Sequence, residues 1–490
     1  MKNFDTNKDR FISIEEANAV KEIDCSGENR PEGEINSVIG LEHFTNLEKL
    51  TLGGIGAEIL DLSSNKAIKE LKLTGFWHLT NLDLSKNNSL KELYLYDTGI
   101  SSLDVSSNPK LEILDCGGDR MTASYYDNKI ESITFGNNTL LSNLNCSYTK
   151  IKSLDISKFT ALKEFICVDT DLGDLDASKN QLLEVLICPN NNLTKININE
   201  NPELTELNIN NNDISYLNIS RNTKLKKLSC SNTQISILDI RNTLIEHLSC
   251  VTPTLNSLNA KGSQTLKTLE CSSYAKIIDI SESALESITY SPQLIYDGGG
   301  GEGDPRTILL NDCPNLKEFN FLQNRKYFRG EVEILDKGAI TIDISNCKSL
   351  IKFSANYIES IKIDNCPSLK EFTCKGVFES IDLSNNADIE NIYLYGQKLN
   401  SVEISSCTAL KKIYCLGLFE TIDLSKNINI DSLTLIACHL ASLNTDALSN
   451  MRYMELALHK ISSDLSFRKN NALEKNLQIL TLANVRTLTH

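Results

Sequence analysis

Hydrophobic and polar residues alternate along this chain in a pattern that returns about every 21 residues. Leu93 and Leu95 alternate with two tyrosines, which predicts a short strand with one buried face. Leu103-Asp104-Val105 predicts a second strand, and Leu114 and Cys116 repeat the first strand 21 residues later. In a chain of 490 residues this period predicts a solenoid, whose core forms by stacking of successive turns.

The first strand of each turn follows the consensus Leu-x-x-Leu-x-Leu, and we count 20 such strands. Examples are Leu47-Leu50-Leu52, Leu90-Leu93-Leu95, Leu204-Leu207-Ile209, Leu410-Ile413-Cys415 and, as the last, Leu477-Leu480-Leu482. From residue 46 to about 456 the chain resembles the internalin-type leucine-rich repeats of bacteria. The resemblance implies a β-rich leucine-rich-repeat solenoid of about 20 turns, but such repeats serve many functions.

A second short strand is predicted between successive first strands, and it is followed by Ser-x-Asn or a near variant. These short polar side chains can satisfy the turn backbone where the chain bends back. Parallel strands on both faces give the two sides of a turn similar spacing, so we predict low curvature. The predicted second strands include Leu82-Asp83-Leu84, Leu103-Asp104-Val105, Leu154-Asp155-Ile156, Leu217-Asn218-Ile219, Ile381-Asp382-Leu383 and Ile422-Asp423-Leu424.

Three turns are longer than the usual 19 to 22 residues, and each insertion follows a first strand and precedes a second one. Loops on a rigid scaffold often bind partners, and aromatic residues and Arg dominate interface energetics. The candidate partner-binding residues of these loops are Tyr125, Tyr126, Tyr296, Arg325, Tyr327, Phe328 and Arg329. The alternative is that the loops are irregular insertions whose aromatic side chains pack back on the solenoid.

Tyrosines also occupy outward positions of the first strands. Tyr393, Tyr395 and Tyr414 lie on two consecutive turns, where strands about 5 Å apart would bring them into one aromatic strip. Tyr94 and Tyr96 form a similar pair on a single turn. The alternative is that tyrosine is present only because it favours strands.

Residues 5 to 16 carry oxygen donors at the spacing of a calcium-binding loop. Asp5, Asn7, Asp9, Phe11 (through its carbonyl), Ser13 and Glu16 occupy positions 1, 3, 5, 7, 9 and 12. The segment resembles an EF-hand loop, with Arg10 in place of the usual Gly. Only four residues precede it, so it has an exiting helix alone, as dockerin-type loops do, here about Ile14 to Lys21. The alternative is an acidic helix N-terminus.

The 15 cysteines follow the repeat. Nine of them replace the second buried residue of a first strand, and four replace the Asn of Ser-x-Asn. No Cys-x-x-Cys occurs, so we interpret them as free thiols acting as small buried hydrophobic residues. The six histidines and the glycine run at 298–301 form no catalytic or phosphate-binding pattern, and we expect no enzymatic activity.

The chain is acidic, with 64 Asp and Glu against 49 Lys and Arg, which argues against a nucleic-acid partner. It contains no membrane span and no signal peptide, so it is either cytosolic or begins at a mature N-terminus.

We predict a calcium loop and helix at 1–24, a lead-in at 25–45, the solenoid at 46–456 and degenerate capping turns at 457–490.

From the residues and the resemblance we predict a non-enzymatic, monomeric scaffold that binds a protein. The resemblance and the calcium loop favour a cell-surface or secreted location over the cytoplasm, because weak calcium sites suit extracellular calcium levels. Two alternatives stay open, a carbohydrate-binding adhesin that uses exposed tyrosines and a purely structural spacer.

Overall fold

A computed structural model describes most of the chain. The described residues are 4–26, 37–54, 56–118, 128–272, 275–291, 306–321, 340–440, 443–444, 446–457, 465–466, 477–483 and 488–489. The chain divides into two compact units, Met1–Gln234 and Ile235–His490. Each unit is a parallel β-solenoid, and the described helices are one short α-helix, α1 (Ile14–Ala19), and one 3-10 turn, Leu41–His43. Among the described residues, no helix is long and apolar enough to span a membrane.

In the first unit, the front ladder consists of parallel strands in which each residue pairs with its equivalent in the next turn, as Leu50 does with Leu71. The strands are β1 (Glu22–Cys25), β2 (Lys49–Gly53), β3 (Glu70–Phe76), β4 (Glu92–Thr98), β6 (Ile113–Asp115), β8 (Asn143–Asn145), β9 (Glu164–Ile166), β11 (Val185–Ile187), β13 (Glu206–Asn208) and β14 (Lys227–Ser229). The second face carries the pairs β5 (Ser102–Asp104) with β7 (Ser132–Thr134) and β10 (Leu175–Asp176) with β12 (Ile196–Asn197).

The second unit repeats this arrangement. Its front ladder consists of β16 (His247–Cys250), β18 (Thr268–Ser272), β20 (Ser287–Ser291), β22 (Glu318–Phe321), β24 (Lys352–Lys362), β25 (Glu371–Gly376), β27 (Asn391–Gly396), β29 (Lys412–Leu416), β30 (Ser432–Ile436), β31 (Tyr453–Ala457) and β33 (Ile479–Ala483). The second face carries β15 (Ile237–Asp239), β17 (Ser257–Asn259), β19 (Ile277–Asp279), β21 (Arg306–Leu309), β23 (Ile340–Asp343), β26 (Ser380–Asp382), β28 (Ser401–Glu403), β32 (Leu465–Ser466) and β34 (Leu488–Thr489).

These pairings confirm the predicted β-rich solenoid with parallel strands. The structure also contains a strand that the sequence did not predict. This strand is β1, which lies in the segment assigned to the helix and the lead-in and pairs with β2. Ile23 faces Leu50 and Cys25 faces Leu52, so β1 carries the same two inward positions as later turns. The helix α1 is shorter than predicted and ends at Ala19, since the carbonyl of Lys21 already accepts hydrogen bonds from the backbone N–H groups of Glu48 and Lys49, where β2 begins.

The second strands are less regular than predicted. Leu103-Asp104-Val105 and Ile381-Asp382-Leu383 overlap β5 and β26, but 82–84, 154–156, 217–219 and 422–424 form no strand. In each of these four segments the side chain of the central Asp or Asn accepts a hydrogen bond from the backbone of the serine two residues later. The same hydrogen bond is present at the ends of β5 and β26, so it does not decide where a second strand forms. Since these four segments form no strand, the second face is only partly built of strands.

Asparagine side chains hold the turns together on the inside. Asn87 is fully buried, and its Nδ2 donates to the carbonyls of Leu62 and Asn65 in the preceding turn at 3.1 and 3.0 Å. Asn108 does the same to Leu84 and Asn87. Asn87 and Asn108 are the asparagines of the Ser-x-Asn motif. The motif therefore links successive turns by hydrogen bonds in addition to forming the bend of the chain. Asn138, Asn180, Asn201 and Asn222 continue the ladder in the first unit, and Asn386 and Asn427 extend it in the second.

The 15 cysteines form no disulfide in the described part of the chain, and all except Cys25 are buried, which confirms the interpretation of the cysteines as buried thiols. Four of them occupy asparagine-ladder positions and replace the amide donor with S–H. Their sulfurs lie 3.1 to 3.4 Å from carbonyl oxygens of preceding turns. The pairs are Cys313 with Ile280, Cys347 with Leu310, Cys366 with Ile344 and Cys407 with Leu383.

Candidate functional site

The N-terminal loop is closed by the carboxylate of Glu16, the third residue of α1. Its Oε1 accepts hydrogen bonds from the backbone N and the Oγ1 of Thr6, both at 2.6 Å. Its Oε2 accepts from the backbone N of Ser13, the helix N-cap, at 2.9 Å. The Thr6 hydroxyl and the Ser13 backbone are the main causes that lower the pKa of Glu16 to about 2.

Three further predicted calcium ligands, Asp5, Asn7 and Asp9, accept hydrogen bonds from the loop backbone. Asp5 accepts from the N–H groups of Asp9 and Arg10 at 3.1 and 2.9 Å, Asn7 accepts from Asp9 at 2.9 Å, and Asp9 accepts from Phe11 at 2.8 Å. Arg10 has a φ of 75°, in the left-handed region that favours the glycine it replaces. The loop therefore turns sharply at this position despite the substitution.

The donor chemistry of this loop fits calcium, since every predicted ligand atom is an oxygen. The structure does not, however, gather the carboxylates of Asp5, Asp9 and Glu16 into one cluster. Nowhere in the described part of the chain do three or more His, Cys, Asp or Glu side chains form a group that could hold a metal ion. Calcium binding by Asp5, Asn7, Asp9, Phe11, Ser13 and Glu16 therefore stays a prediction.

The three inserted loops lie outside the described residues. This applies to Tyr125, Tyr126, Tyr296, Arg325, Tyr327, Phe328 and Arg329, whose binding role stays a prediction. The strands on either side are placed as the sequence predicts. Each insertion follows a front strand, namely β6, β20 or β22, and precedes a second-face strand, namely β7, β21 or β23.

The three predicted strip tyrosines come together on the outward face of the front ladder in the second unit. Tyr393 of β27 pairs in register with Tyr414 of β29. The ring of Tyr395 lies against that of Tyr414, with centroids 4.9 Å apart and planes tilted by 34°. All three side chains are half-buried, and burial raises the pKa of Tyr414. We call Tyr393, Tyr395 and Tyr414 the tyrosine strip.

The hydroxyl groups of the tyrosine strip form no hydrogen bond within the described residues, whereas those of Tyr94 and Tyr96 on the front ladder of the first unit are bonded to carboxylates. Tyr94 donates to Glu92 at 3.0 Å and Tyr96 donates to Asp115 at 2.7 Å. The hydroxyl groups of Tyr94 and Tyr96 therefore have hydrogen-bond partners within the first unit.

An apolar row continues from the strip, and the sequence prediction did not include it. Tyr395 pairs with Leu416, Leu416 with Ile436, and Ile436 with Ala457, so these four outward residues lie side by side on β27, β29, β30 and β31. Leu416, Ile436 and Ala457 are half-buried. The sequence feature that could have predicted this row is position, since Leu416, Ile436 and Ala457 each come directly after the second buried residue of a front strand. We call Leu416, Ile436 and Ala457 the apolar row.

No protein-family model matches the chain, and no curated protein matches it. Among solved structures, the functional domain of InlJ from Listeria monocytogenes, which includes a cysteine ladder, is 20% identical over 90% of this chain and 72% of its own, with a TM-score of 0.39. The internalin InlF from Listeria monocytogenes is 14% identical over 91% and 89%, with a TM-score of 0.27.

The Arabidopsis receptor kinase HAESA, in complex with the peptide hormone IDA and the co-receptor SERK1, is 17% identical over 96% of this chain and 82% of its own, with a TM-score of 0.42. These likenesses are to leucine-rich-repeat proteins. At such identities they do not show what this chain binds.

Proposed function

We propose that this protein is a non-enzymatic scaffold that binds a protein partner through the front face of its second unit. The observation that carries the proposal is the tyrosine strip, in which three half-buried rings with unbonded hydroxyls continue into the apolar row. Aromatic side chains with a polar tip contribute a large share of interface energy at a small cost in side-chain entropy. Such a surface suits binding better than catalysis.

The proposal is tested by selecting peptides from an unbiased display library on the full chain. A variant with Tyr393→Ala, Tyr395→Ala and Tyr414→Ala should lose most of the selected ligands. Tyr216→Ala is the control, because Tyr216 is an exposed tyrosine of the first unit. Thermal melts should show that both variants remain folded, with the triple variant melting at a lower temperature because it loses half-buried rings.

Two other results would point elsewhere. Ligands that bind the triple variant as well as the original would show that the strip is not the binding face. A glycan array that retains the original chain but not the triple variant, with no peptide selected, would favour the carbohydrate-binding alternative. Absence of any ligand would favour a structural spacer.

We further propose that the N-terminal loop binds calcium and that the protein is secreted or displayed on a bacterial surface as a monomer. The all-oxygen donor set and the left-handed backbone at Arg10 support the calcium proposal. The ion would tie the loop and α1 to the first turns.

Calcium titration by calorimetry on the intact chain, with thermal melts beside it, tests the loop. The heat should vanish in a variant with Asp5→Ala and Glu16→Ala and persist in Glu15→Ala, which changes an exposed neighbour. If none of the three proteins releases or absorbs heat, the segment does not bind calcium and is only the capped, acidic N-terminus of a helix. Heat that persists in the double variant would place the ion elsewhere.

A further inference from the structure

The front face of the second unit can recognise a partner only through side chains. Strands β27, β29 and β30 each pair with a neighbour on both sides. Their backbone N–H and C=O groups are therefore used within the ladder, and an added β-strand has no place to pair. A ligand must lie across the outward side chains, so its own backbone groups must be satisfied by those side chains or by water.

The outward residues next to the strip have a defined spacing. Tyr395, Leu416 and Ile436 follow one another on adjacent strands, so the first and third lie about 9.6 Å apart at the usual strand separation. A polyproline II helix advances about 9.3 Å over three residues. Prolines three residues apart would therefore contact the two ends of this group of side chains.

The hydroxyls of the tyrosine strip match the polar requirement of such a helix. A polyproline II segment makes no internal hydrogen bonds, its carbonyls are free to accept, and its prolines have no N–H to satisfy. The three strip hydroxyls have no partner in the described part of the chain and can donate to these carbonyls. The rings and the apolar row supply the contact surface for the pyrrolidine rings.

A charged group lies beside the far end of the apolar row. Thr434 pairs with Tyr414 on one side and with Glu455 on the other, so Glu455 is two strands from the strip and on the same strand as Ala457. Its Oε2 accepts a hydrogen bond from the Tyr453 hydroxyl at 2.7 Å, and its carboxylate retains further acceptor sites. A basic residue of the ligand would meet this carboxylate.

From this arrangement we propose that the tyrosine strip and the apolar row bind a proline-rich segment of a partner protein in the polyproline II conformation, with a basic residue directed to Glu455. The proposal rests on the protein-binding function proposed above and names the class of partner. The segment lies across the strands and contacts β27, β29, β30 and β31.

The test uses a fluorescein-labelled decaproline peptide with an arginine at each end, titrated with the full chain by fluorescence polarisation. A Gly-Ser repeat of equal length and charge is the control peptide. We expect saturable binding of the proline peptide alone. The triple Tyr→Ala variant should bind at least about tenfold more weakly, since it loses all three aromatic anchors.

Two further variants separate the contributions. Changing the same three residues from Tyr to Phe keeps the rings and removes the hydroxyls, so binding should weaken by less than in the triple Tyr→Ala variant. Glu455→Gln should weaken binding and reduce its dependence on salt. Tyr216→Ala should bind like the original, because it lies in the other unit.

Equal binding of the proline and Gly-Ser peptides, or unchanged binding by the triple Tyr→Ala variant, would overturn the inference. The display selection distinguishes this failure from failure of the proposed function. Strip-dependent ligands without proline enrichment would disprove the proline-rich partner and leave the protein-binding function standing. Glycan retention through the strip, or no strip-dependent ligand of any kind, would overturn both.

Discussion

At the scale of single residues, the buried asparagines do more than their turn preference suggests. Asn87 donates to two carbonyls of the preceding turn, and its own carbonyl accepts from Asn108 in the next one. Asn87 therefore links three successive turns. The Ser-x-Asn pattern predicted a turn, but nothing in the local sequence indicated that the amide crosses to another turn.

Asn87→Ala should lower the free energy of unfolding by about 2 to 4 kcal/mol, because it leaves the carbonyls of Leu62 and Asn65 buried without this donor. Urea unfolding measures the change. Asn88→Ala is the control, since Asn88 is its exposed neighbour, and it should change stability by less than about 0.5 kcal/mol. Equal effects of the two substitutions would mean that the ladder contributes little.

The buried thiols should make stability fall at alkaline pH. Burial raises the pKa of Cys230 to about 12 from an ordinary value of 9.0. The unfolded thiol ionises first, so the stability linked to Cys230 is complete below pH 9 and is lost as pH rises toward 12.

Between about pH 8 and about pH 10, Cys230 alone should remove about 1.4 kcal/mol from the free energy of unfolding. The measurement is urea unfolding of the original and of Cys230→Ala at both pH values. The alanine variant should be less stable at each pH but should lose less on going from the lower to the higher value. An equal loss in both proteins would show that Cys230 does not titrate as a buried thiol.

At the scale of elements, β24 departs from the pattern of the other front strands. It runs from Lys352 to Lys362 and pairs with β22 and β25 at its start and with β23 at its end, so it passes from the front ladder to the second face. Its register shifts after Ala355, where it pairs with β25. The passage of β24 from one face to the other is set by its pairing with neighbouring turns. The hydrophobic periodicity within a single turn does not predict it.

Gly376 allows β25 to approach this irregular part of β24. A Cβ at Gly376 would lie 1.9 Å from the carbonyl oxygen of Ile358. We therefore expect Gly376→Ala to lower the free energy of unfolding by about 3 kcal/mol, because backbone must shift. Chemical denaturation tests this, with the outward Thr373→Ala on the same strand as the control. A loss no greater than that of the control would show that the two strands can separate without strain.

At the scale of the whole molecule, each unit is held together by contacts between successive turns. Such a solenoid is stabilised by neighbours, and a local defect spreads only to adjacent turns. In the first unit the front strands pair one after another from β1 to β14. Damage at one turn should therefore have a limited range.

Hydrogen–deuterium exchange followed by mass spectrometry checks this range. In Asn87→Ala the amides of β3 and β4 should exchange faster, since these strands belong to the adjoining turns, while those of β11 and β13 should keep their protection. Asn88→Ala should leave all four strands unchanged. Faster exchange throughout the first unit would instead mean that it unfolds as one cooperative block.

The sequence by itself determined the solenoid, the front strands and the buried thiols, because burial of one strand face imposes a period of two and stacking imposes a period near 21. It also placed Tyr393, Tyr395 and Tyr414 on one face. Ile23 and Cys25 carried the same signal for β1, but the single pair was too short to separate from the lead-in.

Only the tertiary structure decided which polar groups are satisfied. Among the described residues, the hydroxyls of Tyr94 and Tyr96 are bonded to carboxylates and those of the strip are not. This difference depends on side chains brought together from other positions and turns. The same holds for the apolar row and for the Asn87 amide. Their partners lie about one repeat away in sequence, and register between turns brings them into contact.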